Sequence, residues 1–411
     1  MRVDSNPRNV GSVFSKARNF GSRPASVASV VPLAWRNLNA DKTRLVRAIS
    51  GISFAVLLIM IQLGFREAFL DSALAIIRNI DGDIFISSAT KFRFGRKDAF
   101  SYRMIYAARA AQDIDWVRPM YGEWLTSSWK NPATGKLYNV QVLAFDPLQP
   151  VFLFPEVADN LEALRQADTA LLDRRARRFV GEGGAGMVTE LARRQLRIVG
   201  SFSLGPDFTT DGTIIVSDWT FRKFFPPPDG SSTDRNDVEF GVVKVRDGRS
   251  VEDVKVALRR ILPPALAVRT RAEQIALEVA FQNEVSPVGP IFLLGTLIGF
   301  IVGLMISYQI LYTELSDQEV QYATLKAIGY DNAYLMRTVL MQSAFYGLVG
   351  FVPAFLAGIV VFRLIGETAL LPMRLNFAIC LVSIALTLGM CVTAGWLAAK
   401  RVLKADPAEI F

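Results

Sequence analysis

Charge disappears from the chain in four places, each for about the length of a membrane crossing, and the segments between them take their meaning from that spacing. The clearest lies between residues 286 and 313, which hold no Asp, Glu, Lys or Arg. At ~1.5 Å of rise per helical residue, such a run outreaches a hydrocarbon layer ~30 Å thick. It predicts a transmembrane helix at 291–313, and similar runs predict spans at 48–65, 338–362 and 375–399. Lys42, Arg44 and Arg47 precede the first run with only Asp41 against them, and Lys400, Arg401 and Lys404 follow the last. The positive-inside rule therefore puts both termini in the cytoplasm, and parity of spans puts 314–337 there as well. Residues 363–374 remain as a short outside turn. Pro353, within the third run, removes a backbone donor and predicts a kink or hinge.

Beyond Arg66 the helical pattern does not stop. Phe69, Ala73, Ile76, Ile77 and Ile80 continue one apolar stripe up to Asp81-Gly82, so the first span extends outward as a stiff stalk. The rest of 66–290 is an insert of domain size. DIFISS, YNVQVLAFD and GTIIVSD read as strands bounded by Gly, Pro or Asp. Near its end, VEFGVVKVRDG, SVEDVKVALRRIL and LAVRT spell strand, helix, strand, with Ser250 and Asp253 at N-cap spacing. The expected fold class is an integral membrane α-helical protein with four transmembrane helices and a large α+β extracytoplasmic domain between the first and second. That domain is expected to divide into a part near the membrane, built from both ends of the insert, and a distal part at about 160–235.

Composition narrows the function classes. The chain has 411 residues, is 51% hydrophobic, and carries a formal net charge of +8. The insert itself is nearly neutral, with 30 Lys and Arg against 29 Asp and Glu in 66–290, so the basic excess sits in the tails. No basic face for nucleic acid follows from that. There is no histidine, which removes the commonest general base and metal ligand, and no metal or catalytic residue is assigned. Cys380 and Cys391 both fall in the last apolar run and read as packing residues. The basic cluster at Arg174, Arg175 and Arg178 reads as a solvated helix face, and the glycine-rich 181–186 as a turn; no Lys-Ser or Lys-Thr follows those glycines.

Residues 1–31, rich in Ser, Arg, Asn and Gly, are expected to be a disordered tail. Residues 32–47 suit an amphipathic interfacial segment, with Trp35 and Arg36 as its anchors among the membrane lipids. Gly295, Gly299 and Gly303 form a small-residue ridge on the second span, fitting either a dimer seam or packing inside one chain.

The segment 314–337 carries the most specific pattern. Val320, Ala323, Thr324, Ala327 and Ile328 recur at helical spacing, Glu319 and Lys326 lie off that stripe, and Gly329 is placed to end the helix. A short helix on the membrane surface and a plain turn between spans both fit.

The wording EVQYATLKAIGYDNAYL at 319–335 resembles the cytoplasmic coupling segment of FtsX-like ABC transporter permeases, MacB-type in layout, and most of all their DevC branch. PLAWRNL at 32–38, VGSFSLGPDFTTDGTIIVSDWTFRKFF at 199–225, YQILYTELSDQEVQYATLKAIGY at 308–330 and KADPAEIF at 404–411 extend the likeness over nearly everything after Pro32. The resemblance implies a non-catalytic inner-membrane subunit, a homodimer working with two copies of a separate ATPase that binds the ATP, since no Walker A loop is present in this chain. Glu319, Tyr322, Ala323, Thr324, Lys326, Ala327, Ile328 and Gly329 would couple to the ATPase. The outer domain would work on a periplasmic membrane-fusion adaptor and a TolC-like outer-membrane channel, with glycolipid a cargo of DevC relatives. A regulator of a periplasmic cell-wall hydrolase, as in FtsX, shares the layout, and a membrane-bound enzyme is a further class that would need converging carboxylates.

Overall fold

The computed structural model describes residues 42–181, 184–226 and 237–402. The tail 1–31, Trp35 and Arg36, Glu182 and Gly183, and residues 404–411 lie outside the described residues.

Helix α1 (Lys42–Arg78) joins the first span and the stalk without a break. Its opening residues, 42–47, were expected to be part of the interfacial segment; they instead form the first turns of this helix. The insert follows as β1 (Ile84–Ser88), β2 (Phe100–Ser101), α2 (Arg103–Arg109), β3 (Ile114–Lys130), β4 (Leu137–Phe145), α3 (Pro155–Asp159), α4 (Leu161–Leu164), β5 (Thr169–Asp173), β6 (Val188–Leu191), β7 (Arg194–Phe202) and β8 (Thr213–Ser217). Then come α5 (Asp218–Phe224), β9 (Asp237–Val238), β10 (Phe240–Val245), α6 (Val251–Ile261), β11 (Leu266–Thr270) and α7 (Arg271–Ala280). A π-helical turn at Phe281–Val285 leads into α8 (Val288–Asp317), α9 (Glu319–Ala327), α10 (Asn332–Ala369) and α11 (Phe377–Val402). Among the described residues, four helices, α1, α8, α10 and α11, are long and apolar enough to cross a membrane. Helix α10 runs through Pro353 and on to Ala369, so the connection to α11 is shorter than the 363–374 turn expected from the sequence.

The described chain packs as two compact units, one of 53–302 with 351–386, the other of residues up to 52 with 303–350 and from 387 onward. In the first unit a nine-stranded sheet has the strand order β11-β1-β10-β3-β4-β8-β5-β7-β6, and β2 pairs with β9 in a separate two-stranded sheet. The two ends of the larger sheet are not equivalent. Strand β6 turns back onto the far half of β3, with Trp129 opposite Leu191 and Lys130 opposite Glu190, so β3, β4, β8, β5, β7 and β6 close on themselves. An irregularity between Glu123 and Ser127 separates the half of β3 that serves the open sheet from the half that serves the closed part. The distal part therefore starts well before residue 160, because β4 and the end of β3 belong to it.

Both faces of the sheet are covered, which is why its strands read as continuous apolar runs rather than alternating ones. One face buries Ile84, Ile86, Val142, Leu172, Ile198 and Ile214. The other buries Phe85, Leu143, Phe145, Leu171, Phe202 and Phe240, and against them lie Leu74 and Ile77 from the end of α1. Trp129, fully buried, donates its indole N–H to the Val180 carbonyl at 2.9 Å. The stalk is thus part of the core. Arg271, at the start of α7, donates to the carbonyls of Ile80 (2.8 Å) and Gly82 (2.6 Å), fastening the exit of α1 to the entrance of the second helical stem.

Of two local expectations, one is corrected and one holds. The basic cluster is not on a helix: Asp173 closes β5 and accepts backbone N–H groups from Arg175, Leu204 and Gly205, so the arginines follow it on a turn and a single 3-10 turn. Ser250 does cap α6 by accepting the Asp253 N–H, yet the reciprocal capping box, Thr270 with Glu273, opens α7.

Candidate functional site

The second unit contains the short helix that the sequence singles out. Helix α8 stops at Asp317 and α9 begins at Glu319, because Gln318 leaves helical geometry with φ −102° and ψ 11°. Hydrogen bonding is preserved across this joint. The Gln318 N–H reaches the Glu314 and Leu315 carbonyls, and its own carbonyl accepts from Gln321 (3.0 Å) and Tyr322 (3.1 Å). At the other end Gly329 takes φ +104°, a region that side chains rarely occupy. The Gly329 N–H bonds the Lys326 carbonyl and the Tyr330 N–H bonds the Leu325 carbonyl, the paired pattern of a Schellman stop.

The faces of α9 differ from the sequence expectation. Tyr322 and Ala323 are the buried residues, 6% and 5% exposed, whereas Val320 is 58% and Ile328 71% exposed. Thr324, Ala327, Gly329 and Tyr330 are exposed as well, and Glu319 and Lys326 are half-buried. The five-residue stripe is therefore split: Ala323 faces inward, and Val320, Thr324, Ala327 and Ile328 face out. Periodicity alone could not rank a tyrosine above a valine for the inner face, and the packing of α9 on the start of α10 decides it.

Beneath α9 lies a residue that sequence reasoning assigned to a loop. Glu314 sits in the last turn of α8, 3% exposed, and its two carboxylate oxygens accept from the Gln342 side-chain amide at 2.6 Å and the Tyr346 hydroxyl at 2.9 Å, both on α10. Leu311 and Leu315 are equally buried on the same face. That i, i+3, i+4 spacing was the available signal, and the negative charge masked it. Tyr322, one of the two inward residues of α9, has a buried hydroxyl without a hydrogen-bond partner among the described residues. Burial, and then the charge of Glu314, pushes its pKa up to about 12. The last turn of α8, next to the joint with α9, thus holds a buried carboxylate bonded to a second long helix.

The glycines of the second span pack within the chain. A Cβ on Gly295 would lie 2.6 Å from the Gln62 amide carbon, and one on Gly299 would lie 3.2 Å from Ile59. Both neighbours are on α1, so these two glycines serve close approach between the first and second spans. Gly303 is buried. Cys391 is also buried, with its sulfur 3.7 Å from the Ser307 hydroxyl, and both cysteines are free.

Among the described residues, no group of three or more His, Cys, Asp and Glu side chains is arranged to hold a metal. Buried charges in the insert are paired or held by backbone. Lys91 donates to Glu239 and lies over the Phe240 ring, its pKa lowered by burial, and burial raises that of Asp173.

Comparison with known proteins gives one picture along the chain. No curated protein sequence matches it. The family model for the MacB-like periplasmic core domain matches residues 46–261, and that for the FtsX-like permease C-terminal region matches 293–407. Among solved structures, the periplasmic region of MacB from Actinobacillus actinomycetemcomitans aligns at 14% identity and a TM-score of 0.34, covering 51% of this chain and 97% of that one. The extracellular domain of the transporter YknZ from Gram-positive bacteria aligns at 10% identity and 0.32, covering 46% and 98%. A domain of a permease protein from Porphyromonas gingivalis aligns at 17% and 0.32, covering 46% and 89%. With a core-domain model over more than half its length and a permease model over three of its four long apolar helices, the chain belongs to the FtsX-like, MacB-type permeases, the multi-pass inner-membrane subunits that ABC transporters pair with an ATPase.

Proposed function

We propose that this chain is the transmembrane subunit of an exporter of the DevC kind, and that α9 is the lever through which a separate ATPase drives it. The observation that carries this reading is the division of α9 into two faces. Tyr322 and Ala323 fix one face to the bundle above the Glu314, Gln342 and Tyr346 cluster, and the other leaves Val320, Thr324, Ala327 and Ile328 uncovered for a partner. Both termini and α9 lie in the cytoplasm in this scheme, and the core domain lies in the periplasm. A homodimer of the chain binds two ATPase subunits. ATP-driven closure of these subunits shifts α9, the buried cluster passes the shift to α8 and α10, and the stems carry it to the core domain. There it acts on a membrane-fusion adaptor and an outer-membrane channel, with a glycolipid as cargo.

The test is replacement of the outward residues Ala327 and Ile328 by arginine and aspartate. The full chain should still fold and insert, while copurification of an untagged ATPase and stimulation of its activity are lost. Unchanged, coupled ATPase activity in Ala327→Arg/Ile328→Asp would remove α9 from the pathway. If the ATPase binds but no adaptor copurifies, and a cell-wall hydrolase is activated instead, the chain is a regulator of FtsX type rather than an exporter.

A further inference from the structure

The loop between β7 and β8, residues 203–212, is held by the core domain on one side. Asp173, at the end of β5 and 1% exposed, accepts the N–H groups of Leu204 at 3.1 Å and Gly205 at 2.7 Å. Bonds of this kind, to an ionised acceptor, are among the stronger ones a protein makes. Arg177 donates its backbone N–H to the Asp211 carbonyl at 2.9 Å and its guanidinium to the Asp207 carbonyl at 3.3 Å. The Asp207 side chain accepts in turn from Thr209 and Thr210, and Leu204 packs against the Phe85 and Phe240 face of the sheet.

The other side of the loop meets the ends of the long helices nearer the core domain. The Phe208 ring lies edge-on to Phe69 of α1 at 5.1 Å and 6.3 Å from Phe292 of α8, so it is wedged against both stems. Gly205 has φ +104°, and a Cβ there would lie 3.7 Å from the Arg175 Cζ and 3.8 Å from the Leu370 carbonyl oxygen. Leu370 is the first residue beyond α10, itself at φ +58°, where residues other than glycine are uncommon. A guanidinium and the carbonyl that follows a long helix thus flank one glycine.

Charge gives this contact a reason. The C-terminal end of a helix carries partial negative charge and favours a cation nearby. Helix α10 has no basic residue in its last turn, and Glu367 stands two residues before its end. Arg174 pairs with Glu156 and Arg177 with Asp211, whereas Arg175 stands beside the Leu370 carbonyl. One member of the basic cluster therefore supplies the cation that α10 does not carry itself.

We infer that the loop 203–212 is a latch between the core domain and the outer end of α10, with Phe208 as its wedge and Arg175 as its counter-charge. Helices α1 and α8 run into the core domain as its stems, but α10 and α11 do not, so their movement reaches the domain by contact. The part of the latch in passing on movement of α9 rests on the proposed function; the tie itself does not.

The test uses the full-length chain in phosphatidylcholine nanodiscs, with Cys380→Ala and Cys391→Ala and spin labels at Leu148→Cys in the core domain and Leu364→Cys on α10. Both label positions are exposed, at 66% and 60%. Dilution with unlabelled chain confines pulsed EPR distances to one molecule. The parent should give one narrow distance, and Phe208→Ala and Arg175→Glu should each lose it to a broad distribution. Arg175→Lys, which keeps the charge, should retain the narrow distance, as should Tyr106→Ala on α2. Phe208→Leu serves if the alanine variant does not fold. A narrow, unmoved distance in both Phe208→Ala and Arg175→Glu would overturn the latch. With the ATPase and ATP added, the parent distance should shift, and the shift should be lost in Phe208→Ala while hydrolysis continues. If the parent itself neither binds nor stimulates the ATPase, the lever reading of α9 fails, and the nucleotide-free distances still decide the latch.

Discussion

The core-domain sheet and the helix α9 hold their places by opposite means. The sheet is covered on both faces, its register is fixed by pairing on both sides of most strands, and its largest side chains, among them Trp129, Phe145 and Phe202, are fully buried. Helix α9 has nine residues, two of them buried, and large apolar side chains in the open. An isolated helix of that length is marginal in water, so its position depends on what it rests against. The difference separates a part whose own packing fixes its shape from a part that, in the proposed mechanism, is the one to move.

The strongest challenge to the rigid side is Trp129→Ala. It removes a fully buried ring and its bond to the Val180 carbonyl, and should cost about 3–5 kcal/mol, read as early unfolding of the core domain with the helical bundle intact. A simultaneous loss of both would mean that the core domain and the helical bundle do not fold separately.

On the mobile side, Glu314→Ala strips Gln342 and Tyr346 of their acceptor and should cost about 1–3 kcal/mol. ATP hydrolysis should continue while its coupling to export falls. Glu314→Gln, which keeps an acceptor oxygen, should recover most of that coupling; failure of the glutamine to rescue would show that the charge, not the bonding, matters.

Smaller effects sharpen the contrast. Thr270→Ala removes the threonine half of the capping box at the start of α7, the hydroxyl that accepts the Glu273 N–H, and should lower core-domain stability by about 1 kcal/mol, measurable by denaturant unfolding. Tyr322→Phe deletes a hydroxyl that has no hydrogen-bond partner among the described residues and should leave stability within about 0.5 kcal/mol of the parent, whereas the alanine variant should loosen α9. A clear loss with phenylalanine would reveal a partner for that hydroxyl in the working complex.

What could be read from the sequence follows the same division. The four long helices announce themselves because a bilayer tolerates so little charge, and β1, β4, β8 and β10 because strands buried on both faces become unbroken apolar runs. Their spatial order could not be read that way, since β4 lies beside β8 and β3 beside β10 through pairings between residues far apart in the chain. Around α9 the limit was different. The helix, its stop at Gly329 and its neighbours were legible, but the inward face was not. Glu314 looked like the polar end of a span until the donor groups of Gln342 and Tyr346 were seen opposite it. Side-chain identity gives periodicity; only the facing helix says which phase of it is covered.

The return of β6 onto β3 has a further consequence for assembly. A strand with unpaired backbone groups along one side is a standing invitation to another chain, and the closed part of the sheet withdraws that invitation by pairing its last strand with its first. Whatever docks at that end must therefore grip loops and side chains instead of extending the sheet, which leaves the outer side of β11 as the place where the main sheet could still gain a neighbour.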